Sequence, residues 1–229
     1  MDKVVPKHVA IIPDGNRRWA RQKGLDPIEG YKASADFRKA KDILIGAKEE
    51  GVEVLTFWAF STENWKRDSK QIGGILSLMT KSLKEIRRDL IDARIRFRHI
   101  GRKDRIPKIV LNEIVSLEKE TEKFNDFCVQ VCIDYGGRDE IVRAVNKVLK
   151  SGVKEVKEED FGRFLDSADV PDPDLVIRTS GEFRTSGFMP FQSAYSEYYF
   201  SDLYFPDFDV DELRKAVREF SSRKRNFGK

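Results

Sequence analysis

Two kinds of hydrophobic pattern alternate along the chain. Short runs of consecutive apolar residues are typical of buried strands, and apolar residues that recur every three or four positions are typical of helices. The runs predict strands at residues 9–12, 54–60, 96–100, 129–134, 175–177 and 198–200. The helical spacing predicts helices at residues 17–23, 30–50, 72–93, 106–123, 139–149, 158–165 and 210–220.

The alternation of strands and helices predicts an α/β fold, with one mainly parallel sheet of about six strands covered by helices on both faces. Because no repeat, low-complexity tract or Pro/Ser/Gly-rich linker interrupts the sequence, we expect residues 1–229 to form a single domain. Ligands of such sheets bind beyond the carboxyl ends of the strands. Asp14, Ser61, Asp134 and Arg178 follow or end predicted strands, so we expect them at one edge.

The helical pattern at residues 72–93 is unusually long, about 33 Å at the rise of an α-helix. Its apolar residues follow one face of that helix. They are Ile72, Ile75, Leu76, Met79, Leu83, Ile86 and Leu90. A stripe of this kind usually packs in a core or in a dimer interface.

Composition narrows the class of protein. The 43 basic and 39 acidic residues leave a net charge of +4, which suits an anionic ligand or a membrane surface without requiring either. Cys128 and Cys132 lie four apart in an apolar run, so we expect buried thiols. No apolar run reaches the roughly 18 residues of a membrane span, and we expect a cytoplasmic protein that meets lipid only at the membrane surface.

The first candidate site follows the first strand, in the turn that begins at Pro13. A strand that enters a helix through a glycine turn exposes backbone N–H groups that bind anions. Arg17 and Arg18 add charged donors to Gly15 and Asn16. Asp14 fits this turn if a hard cation such as Mg²⁺ lies between its carboxylate and a phosphate. An ordinary helix N-cap explains the same residue equally well.

A second cluster of donors follows the fifth strand. Arg178 and Arg184 are six residues apart, with the hydroxyl groups of Thr179, Ser180 and Ser186 around them. Two arginines with hydroxyls between and beside them suit a phosphate group better than a carboxylate. The alternative is a surface loop held by ion pairs to Glu182.

Five segments, in order, carry a resemblance to a known family. They are HVAIIPDGNRRWA from residue 8, FSTENWKR from 60, DYGGRDEI from 134, DLVIRTSGEFRTSGF from 174 and QSAYSEYYF from 192. The chain resembles the cis-prenyltransferases, the undecaprenyl diphosphate synthase family, from about residue 8 to residue 228. The resemblance implies that fold, with an elongated hydrophobic tunnel walled partly by helix 72–93. It also implies repeated condensation of isopentenyl diphosphate onto an allylic prenyl diphosphate, giving a long-chain polyprenyl diphosphate, a lipid-carrier precursor for cell-surface glycans.

The resemblance also implies residue roles. Asp14 and Asn64 are catalytic, and Asp14 and Glu197 hold Mg²⁺. The allylic diphosphate is bound by Gly15, Asn16, Arg17, Arg18, Trp19, Ser61, Glu63 and Arg67, and isopentenyl diphosphate by Arg178, Arg184 and Ser186. The expected partners are these two substrates, a second copy in a homodimer and a membrane contacted peripherally for product release, without nucleic acid.

The chain departs from the usual family pattern at four positions. Pro27, Tyr31, Gly187 and Asn226 stand where Arg, His, Asn and Arg are common. These changes leave open the allylic primer, the proton acceptor and the role of the C-terminal tail. Three other functions therefore stay open: prenyl transfer to an acceptor such as a glycerol-type alcohol, a non-catalytic partner subunit, and a basic nucleic-acid-binding module.

Overall fold

The computed structural model describes residues 4–223, in which six strands form one sheet in the order β3-β4-β2-β1-β5-β6. The strands are β1 (His8–Ile12), β2 (Val54–Ser61), β3 (Ile95–Ile100), β4 (Phe127–Tyr135), β5 (Leu175–Arg178) and β6 (Glu197–Phe200). Every neighbouring pair is parallel. The predicted parallel α/β fold is confirmed. Asn226, one of the four positions that depart from the family pattern, lies outside the described residues.

Eight α-helices lie in the same part of the chain. They are α1 (Asn16–Gln22), α2 (Pro27–Ser34), α3 (Phe37–Glu49), α4 (Ser69–Asp92), α5 (Lys108–Thr121), α6 (Gly137–Ser151), α7 (Glu158–Phe161) and α8 (Val210–Ser222). The prediction of one helix at residues 30–50 was wrong, because Asp36 accepts a hydrogen bond from the Arg38 amide and caps a new helix. Among the described residues, no helix is long and apolar enough to cross a bilayer.

The two faces of the sheet are packed differently. The larger core lies on the face covered by α3, α4, α5 and α8, each of which buries several aliphatic side chains there. On the other face, a smaller cluster includes Cys132, Tyr135, Phe188 and Met189. Helix α6 is tied to this face because Tyr135 donates a hydrogen bond to Glu140 at 2.7 Å. The predicted burial of both cysteine thiols is confirmed.

Strand order places several of the sequence motifs together. β1 is central, between β2 and β5. Its last residue, Ile12, is in register with Arg178, and Ser61 at the end of β2 is in register with Tyr135. Since the strands are parallel, their carboxyl ends form one edge, and the loops that follow Ile12, Ser61 and Arg178 leave the sheet side by side.

His8 opens β1 with a fully buried imidazole. Its Nδ1 is 2.7 Å from the Pro171 carbonyl oxygen and its Nε2 is 2.7 Å from Thr56 Oγ1. Burial lowers the pKa of His8 to about 4, against the smaller opposing effects of the Pro171 carbonyl and the Asp174 charge. The folded protein therefore holds this imidazole neutral at pH values where the unfolded chain is protonated.

We expect the free energy of unfolding to fall as the pH is lowered from about 6.5 to about 4, because the unfolded state then binds the proton that folded His8 refuses. The slope from one such group is at most about 1.4 kcal/mol per pH unit. Urea denaturation of the wild type and of His8→Gln at several pH values measures it. The second histidine, His99, is present in both proteins and therefore contributes equally to both pH slopes. Equal pH slopes in both proteins would contradict the assignment.

Candidate active site

A polar cavity of about 520 Å³ lies at the carboxyl edge of the sheet. Loops after β1, β2 and β5 and the helices α1 and α2 contribute its walls. The polar side chains that line it are Asp14, Asn16, Arg17, Arg18, Arg21, Tyr31, Ser61, Asn64, Arg67, Arg178 and Ser186. Most of the polar residues proposed from sequence are thus brought to one cavity from distant parts of the chain.

The turn after β1 is held by contacts on both sides. The Asp14 amide donates to Thr179 Oγ1 and that hydroxyl donates to the Asp14 carbonyl, both at 2.8 Å. The Phe205 amide donates to the same carbonyl at 2.9 Å. Gly15 has φ +94°, and a Cβ there would lie 2.4 Å from Cδ1 of Tyr204, so the turn requires glycine.

Asp14 is ionised and paired. Its Oδ2 is 2.8 Å from Arg178 Nη2, and its Oδ1 accepts a hydrogen bond from the Gly15 amide at 2.6 Å and is 3.5 Å from Arg18 Nη2. Burial by itself would raise the pKa of Asp14, but the Arg178 and Gly15 hydrogen bonds and the charges of Arg178 and Arg18 outweigh it, so the pKa is lowered. The alternative that Asp14 is the N-cap of α1 was wrong, because Gly15 holds that position and has no side chain.

The loop after β5 supplies a buried guanidinium. Arg178 is 4% exposed, and its Nη1 donates to Ser186 Oγ at 2.8 Å and to the Arg184 carbonyl oxygen. Ser186 therefore lies beside Arg178. The Arg184 guanidinium is instead paired with Glu182 and does not line the polar cavity.

The segment after β2 forms a short 3₁₀ turn at Thr62–Lys66. The Ser61 amide donates to Asn64 Oδ1 at 3.2 Å, and the two residues complete a capping box. Arg67 Nη1 donates to the Tyr31 hydroxyl oxygen at 2.8 Å. The residues that cap this turn, Ser61 and Asn64, therefore also line the cavity.

Besides Arg184, two further residues predicted to bind diphosphate do not line the cavity. Trp19 turns its indole to Asp207, whose carboxylate accepts the Nε1 hydrogen at 2.7 Å. Glu63 is exposed and accepts a hydrogen bond from the Thr62 hydroxyl at 2.9 Å. In both cases the neighbouring residue in sequence lines the cavity, but the side chain itself leaves the backbone in another direction.

Glu197 lies far from Asp14 within one chain. It is the first residue of β6, in register with Leu175 at the start of β5, whereas Asp14 follows the carboxyl end of β1. Its carboxylate is 2.8 Å from Arg223 Nη1. The fold of a single chain therefore does not bring Asp14 and Glu197 to one metal, because they lie at opposite edges of the sheet.

Asp134 supports the site without lining it. It is fully buried, with φ +53°, and accepts hydrogen bonds from Trp65 Nε1 at 2.8 Å and Arg105 Nε at 2.9 Å. These bonds hold the turn that carries Ser61 and Asn64 against the end of β4. The DYGGRDEI motif thus positions the rim of the cavity.

Three of the four residues that depart from the family pattern are explained by their local structure. Pro27 is the first residue of α2, directly after the Asp26 cap, where its fixed φ suits a helix start. Tyr31 accepts a hydrogen bond from Arg67 and lines the polar cavity, so it contributes a hydroxyl at the position where the family commonly has His. Gly187 adopts φ +81°, a conformation that favours glycine.

An apolar cavity of about 220 Å³ adjoins the polar one. The two share Pro13, Asn16, Tyr31 and Ala59 in their walls. From there the apolar cavity follows α4, whose lining residues are Ile75, Leu78, Met79, Ser82, Leu83, Ile86 and Leu90, and reaches Phe97 of β3 and Val129 of β4. Part of the stripe on α4 thus lines a cavity, while Leu76 packs in the core without lining it.

Three residues that bring a side-chain hydrogen-bond donor to the wall of the polar cavity were not among the sequence candidates: Arg21, Tyr31 and Trp58. Arg21 is one helical turn after Arg17, so the period of α1 was a usable signal. Trp58 stacks on Phe188 with ring centroids 5.0 Å apart. Because that contact joins β2 to the loop after β5, no local sequence pattern indicates it.

Known relatives match this chain over its whole length. The family model described as putative undecaprenyl diphosphate synthase matches residues 12–228. An isoprenyl transferase of Fusobacterium nucleatum is 44% identical over 100% of this chain and 98% of that protein. A tritrans,polycis-undecaprenyl-diphosphate synthase (geranylgeranyl-diphosphate specific) of Pyrococcus horikoshii is 41% identical over 99% of this chain and 88% of that protein.

Solved structures agree with the sequence matches. A lavandulyl diphosphate synthase from Lavandula x intermedia, in complex with dimethylallyl diphosphate, superimposes with a TM-score of 0.94 at 31% identity over 100% of both chains. A probable undecaprenyl diphosphate synthase from Campylobacter jejuni gives a TM-score of 0.83 at 32% identity, over 97% of this chain and 98% of that one. The resemblance predicted from the five motifs is confirmed, and the chain belongs to the undecaprenyl diphosphate synthase family of prenyl-transferring enzymes.

Proposed function

We propose that this protein adds isopentenyl diphosphate repeatedly to an allylic prenyl diphosphate and makes a long-chain polyprenyl diphosphate with new cis double bonds. The observation that carries the proposal is the wall that the two cavities share. A prenyl diphosphate has one charged end and one apolar end, and Asn16 and Tyr31 line both the polar cavity and the adjoining apolar cavity. A diphosphate held on the arginines can therefore extend its hydrocarbon tail along α4.

Charge supports two diphosphates in the polar cavity. Its lining residues include five arginines and one carboxylate, Asp14. Guanidinium groups suit phosphate oxygens because their planar donors match them in pairs. We assign the allylic diphosphate to Gly15, Asn16, Arg17, Arg18, Ser61 and Arg67, and isopentenyl diphosphate to Arg178, Ser186 and Arg184. Dimethylallyl diphosphate, bound in the lavandulyl diphosphate synthase structure, is an allylic diphosphate of this kind.

Asp14 fits a magnesium site that the substrate completes. Mg²⁺ commonly takes one or two carboxylates together with substrate phosphates and water. Asp14 is ionised and lies among the arginines that would hold the diphosphate. When bound there, Mg²⁺ would neutralise charge that develops on the departing diphosphate. Glu197 has no part in this assignment, because within one chain it lies at the opposite edge of the sheet.

The residues of the polar cavity would position the two substrates for bond cleavage and bond formation. The allylic C–O bond breaks, its electron pair leaves with the diphosphate, and the arginines stabilise that charge. The π electrons of the homoallylic double bond form the new C–C bond with the allylic cation, and a proton leaves the adjacent carbon. Asn64 lies in the 3₁₀ turn after β2 and lines the same cavity, where its amide can orient the leaving group.

We extend the proposal to a homodimer in the cytoplasm that releases its product to the membrane surface. Val142, Val145 and Leu149 lie at positions i, i+3 and i+7 of α6 and are 60%, 44% and 73% exposed. Such an apolar row on one helix face favours a protein partner. Sedimentation velocity of the purified chain is expected to give a dimer. A monomer at micromolar concentration would contradict that part.

Incubation of the purified chain with labelled isopentenyl diphosphate and Mg²⁺ tests the proposal. Dimethylallyl, geranyl, farnesyl and geranylgeranyl diphosphate are offered separately, and product length is read by mass spectrometry. We expect a ladder of products that differ by one five-carbon unit. A single transfer onto a glycerol-type alcohol would favour the alternative acceptor, and no transfer with any primer would favour a non-catalytic partner subunit.

We expect Arg184→Ala to lower kcat/KM for isopentenyl diphosphate by roughly 10- to 100-fold, because a charge-assisted hydrogen bond to phosphate contributes about 1.5–3 kcal/mol. The kinetics of the allylic substrate should change less. Arg88→Ala is the matched control, since Arg88 on α4 is 91% exposed and outside both cavities. Unchanged kinetics for isopentenyl diphosphate in Arg184→Ala would remove Arg184 from the site.

A further inference from the structure

One carboxylate joins the arginines of the two candidate subsites. Glu182 Oε1 is 2.7 Å from Arg18 Nη1, and Glu182 Oε2 is paired with Arg184 Nη1. Arg18 belongs to the turn after β1, and Arg184 belongs to the loop after β5. Glu182 therefore connects an arginine assigned to the allylic diphosphate with one assigned to isopentenyl diphosphate.

The backbone before Glu182 sets its position. Ser180 and Gly181 both have positive φ, +75° and +65°. The Ser180 amide donates to the Leu203 carbonyl at 2.7 Å, and the Gly181 amide donates to the Ser201 carbonyl at 2.9 Å. These bonds fasten a sharp turn to the segment after β6. These backbone hydrogen bonds therefore fix the turn that places Glu182 beside Arg18.

The pairing with Glu182 has a consequence for Arg184. Its guanidinium does not line the polar cavity, although its carbonyl oxygen accepts a bond from Arg178 Nη1. The backbone of Arg184 is thus at the site while its charged group is held outside by a carboxylate. A phosphate group that binds Nη1 of Arg184 competes with that carboxylate for the same donor.

We propose that Glu182 is an internal anion that holds Arg18 and Arg184 in the substrate-free pocket and is displaced when a diphosphate binds. This inference rests on the proposed function. A diphosphate has more charge and more acceptor oxygens than a carboxylate, so it can compete for both arginines. The exchange is feasible because the side chains of Glu182 and Arg184 are 23% and 59% exposed, and ion pairs at such positions are weak.

The same exchange assists the end of the reaction. Inorganic pyrophosphate leaves the allylic subsite after each transfer, and Arg18 would otherwise lose its counter-charge. Glu182 pairs with Arg18 again as pyrophosphate departs. The carboxylate thus makes substrate binding weaker and pyrophosphate release easier. Its removal should tighten diphosphate binding, whereas removal of a residue that binds the diphosphate would weaken it.

The test measures pyrophosphate binding by isothermal titration calorimetry in Mg²⁺ buffer. We expect Glu182→Gln to bind inorganic pyrophosphate about two- to tenfold more tightly than the wild type, because the competing carboxylate charge is gone. Pyrophosphate should inhibit prenyl transfer by the variant more strongly by the same factor. The double variant Glu182→Gln/Arg184→Gln should lose the gain. Glu182→Ala provides an independent variant with the same expected direction.

Glu53→Gln is the control for net charge. It also removes one carboxylate, but Glu53 pairs with Lys7 at the amino end of β2, the opposite edge of the sheet. Its pyrophosphate affinity should equal that of the wild type. Equal or weaker binding in both Glu182 variants would overturn the inference. Absence of pyrophosphate binding and prenyl transfer in the wild type would instead refute the proposed function.

Discussion

Asp14→Asn is expected to lower the prenyl-transfer rate about a thousandfold or more. Asparagine keeps the shape of the side chain and can still accept the Gly15 amide hydrogen bond. It lacks the charge that would hold Mg²⁺ on the leaving diphosphate, and that interaction contributes several kcal/mol of transition-state stabilisation. Single-turnover rates for wild type and variant measure the loss. EDTA should stop the wild type, and added Mg²⁺ should restore it.

Stability distinguishes catalysis from folding in this variant. Asp14→Asn also removes the ion pair with Arg178, so we expect a loss of about 1 kcal/mol in the free energy of unfolding, with the fold retained. Asp209→Asn is the matched control, because Asp209 caps α8 through its carboxylate and lies outside the cavity. It should turn over like the wild type. Asp14→Asn with a rate within about tenfold of wild type would refute the catalytic role.

Leu83→Ala is expected to shift the product distribution toward longer chains. Leu83 is 7% exposed and lines the apolar cavity, so truncation enlarges the space available to the hydrocarbon tail. Burial contributes about 0.8 kcal/mol per methylene, and each added unit brings five carbons. An enlarged cavity can therefore bury the methylenes of further five-carbon units, which favours longer products. Met79→Ala, at the same wall, should act in the same direction. Mass spectrometry of the products measures the shift.

Leu76→Ala separates cavity shape from stability. Leu76 is 8% exposed, lies on the same helix and packs in the core, but does not line the cavity. Both leucine variants should lose about 2–5 kcal/mol in the free energy of unfolding. Only Leu83→Ala should change product length. Identical product lengths from wild type, Leu83→Ala and Met79→Ala would mean that the stripe on α4 serves packing alone.

Local pattern was sufficient for the strands and for most of the helices. All six predicted strands form, because an apolar run between turn residues has few other ways to be buried. The exception is the pattern at residues 30–50, where a break at Asp36 separates α2 from α3. An Asp inside an amphipathic pattern is compatible with either a continuous helix or a new cap, and packing chooses between them.

Side-chain direction limited the site prediction. Of the four residues expected at one edge of the sheet, Asp14, Ser61 and Arg178 line one cavity, because parallel strands place their carboxyl ends together. Their motifs also contain residues that turn elsewhere, such as Trp19 toward Asp207 and Glu63 toward solvent. A sequence motif indicates which segment of the chain reaches a site. The rotamers and the packing neighbours of its residues decide which of those side chains face the site.

The sequence by itself determined the parallel α/β architecture, the family and the segments that carry the chemistry, since periodicity and ordered motifs are properties of the chain alone. Tertiary structure decided which charges meet. Glu197 lies at the opposite edge of the sheet from Asp14, and Glu182 joins Arg18 to Arg184 across two loops. Ion pairs form over a few ångströms, and strand order together with the turns after the strands sets which residues from distant parts of the chain approach that closely.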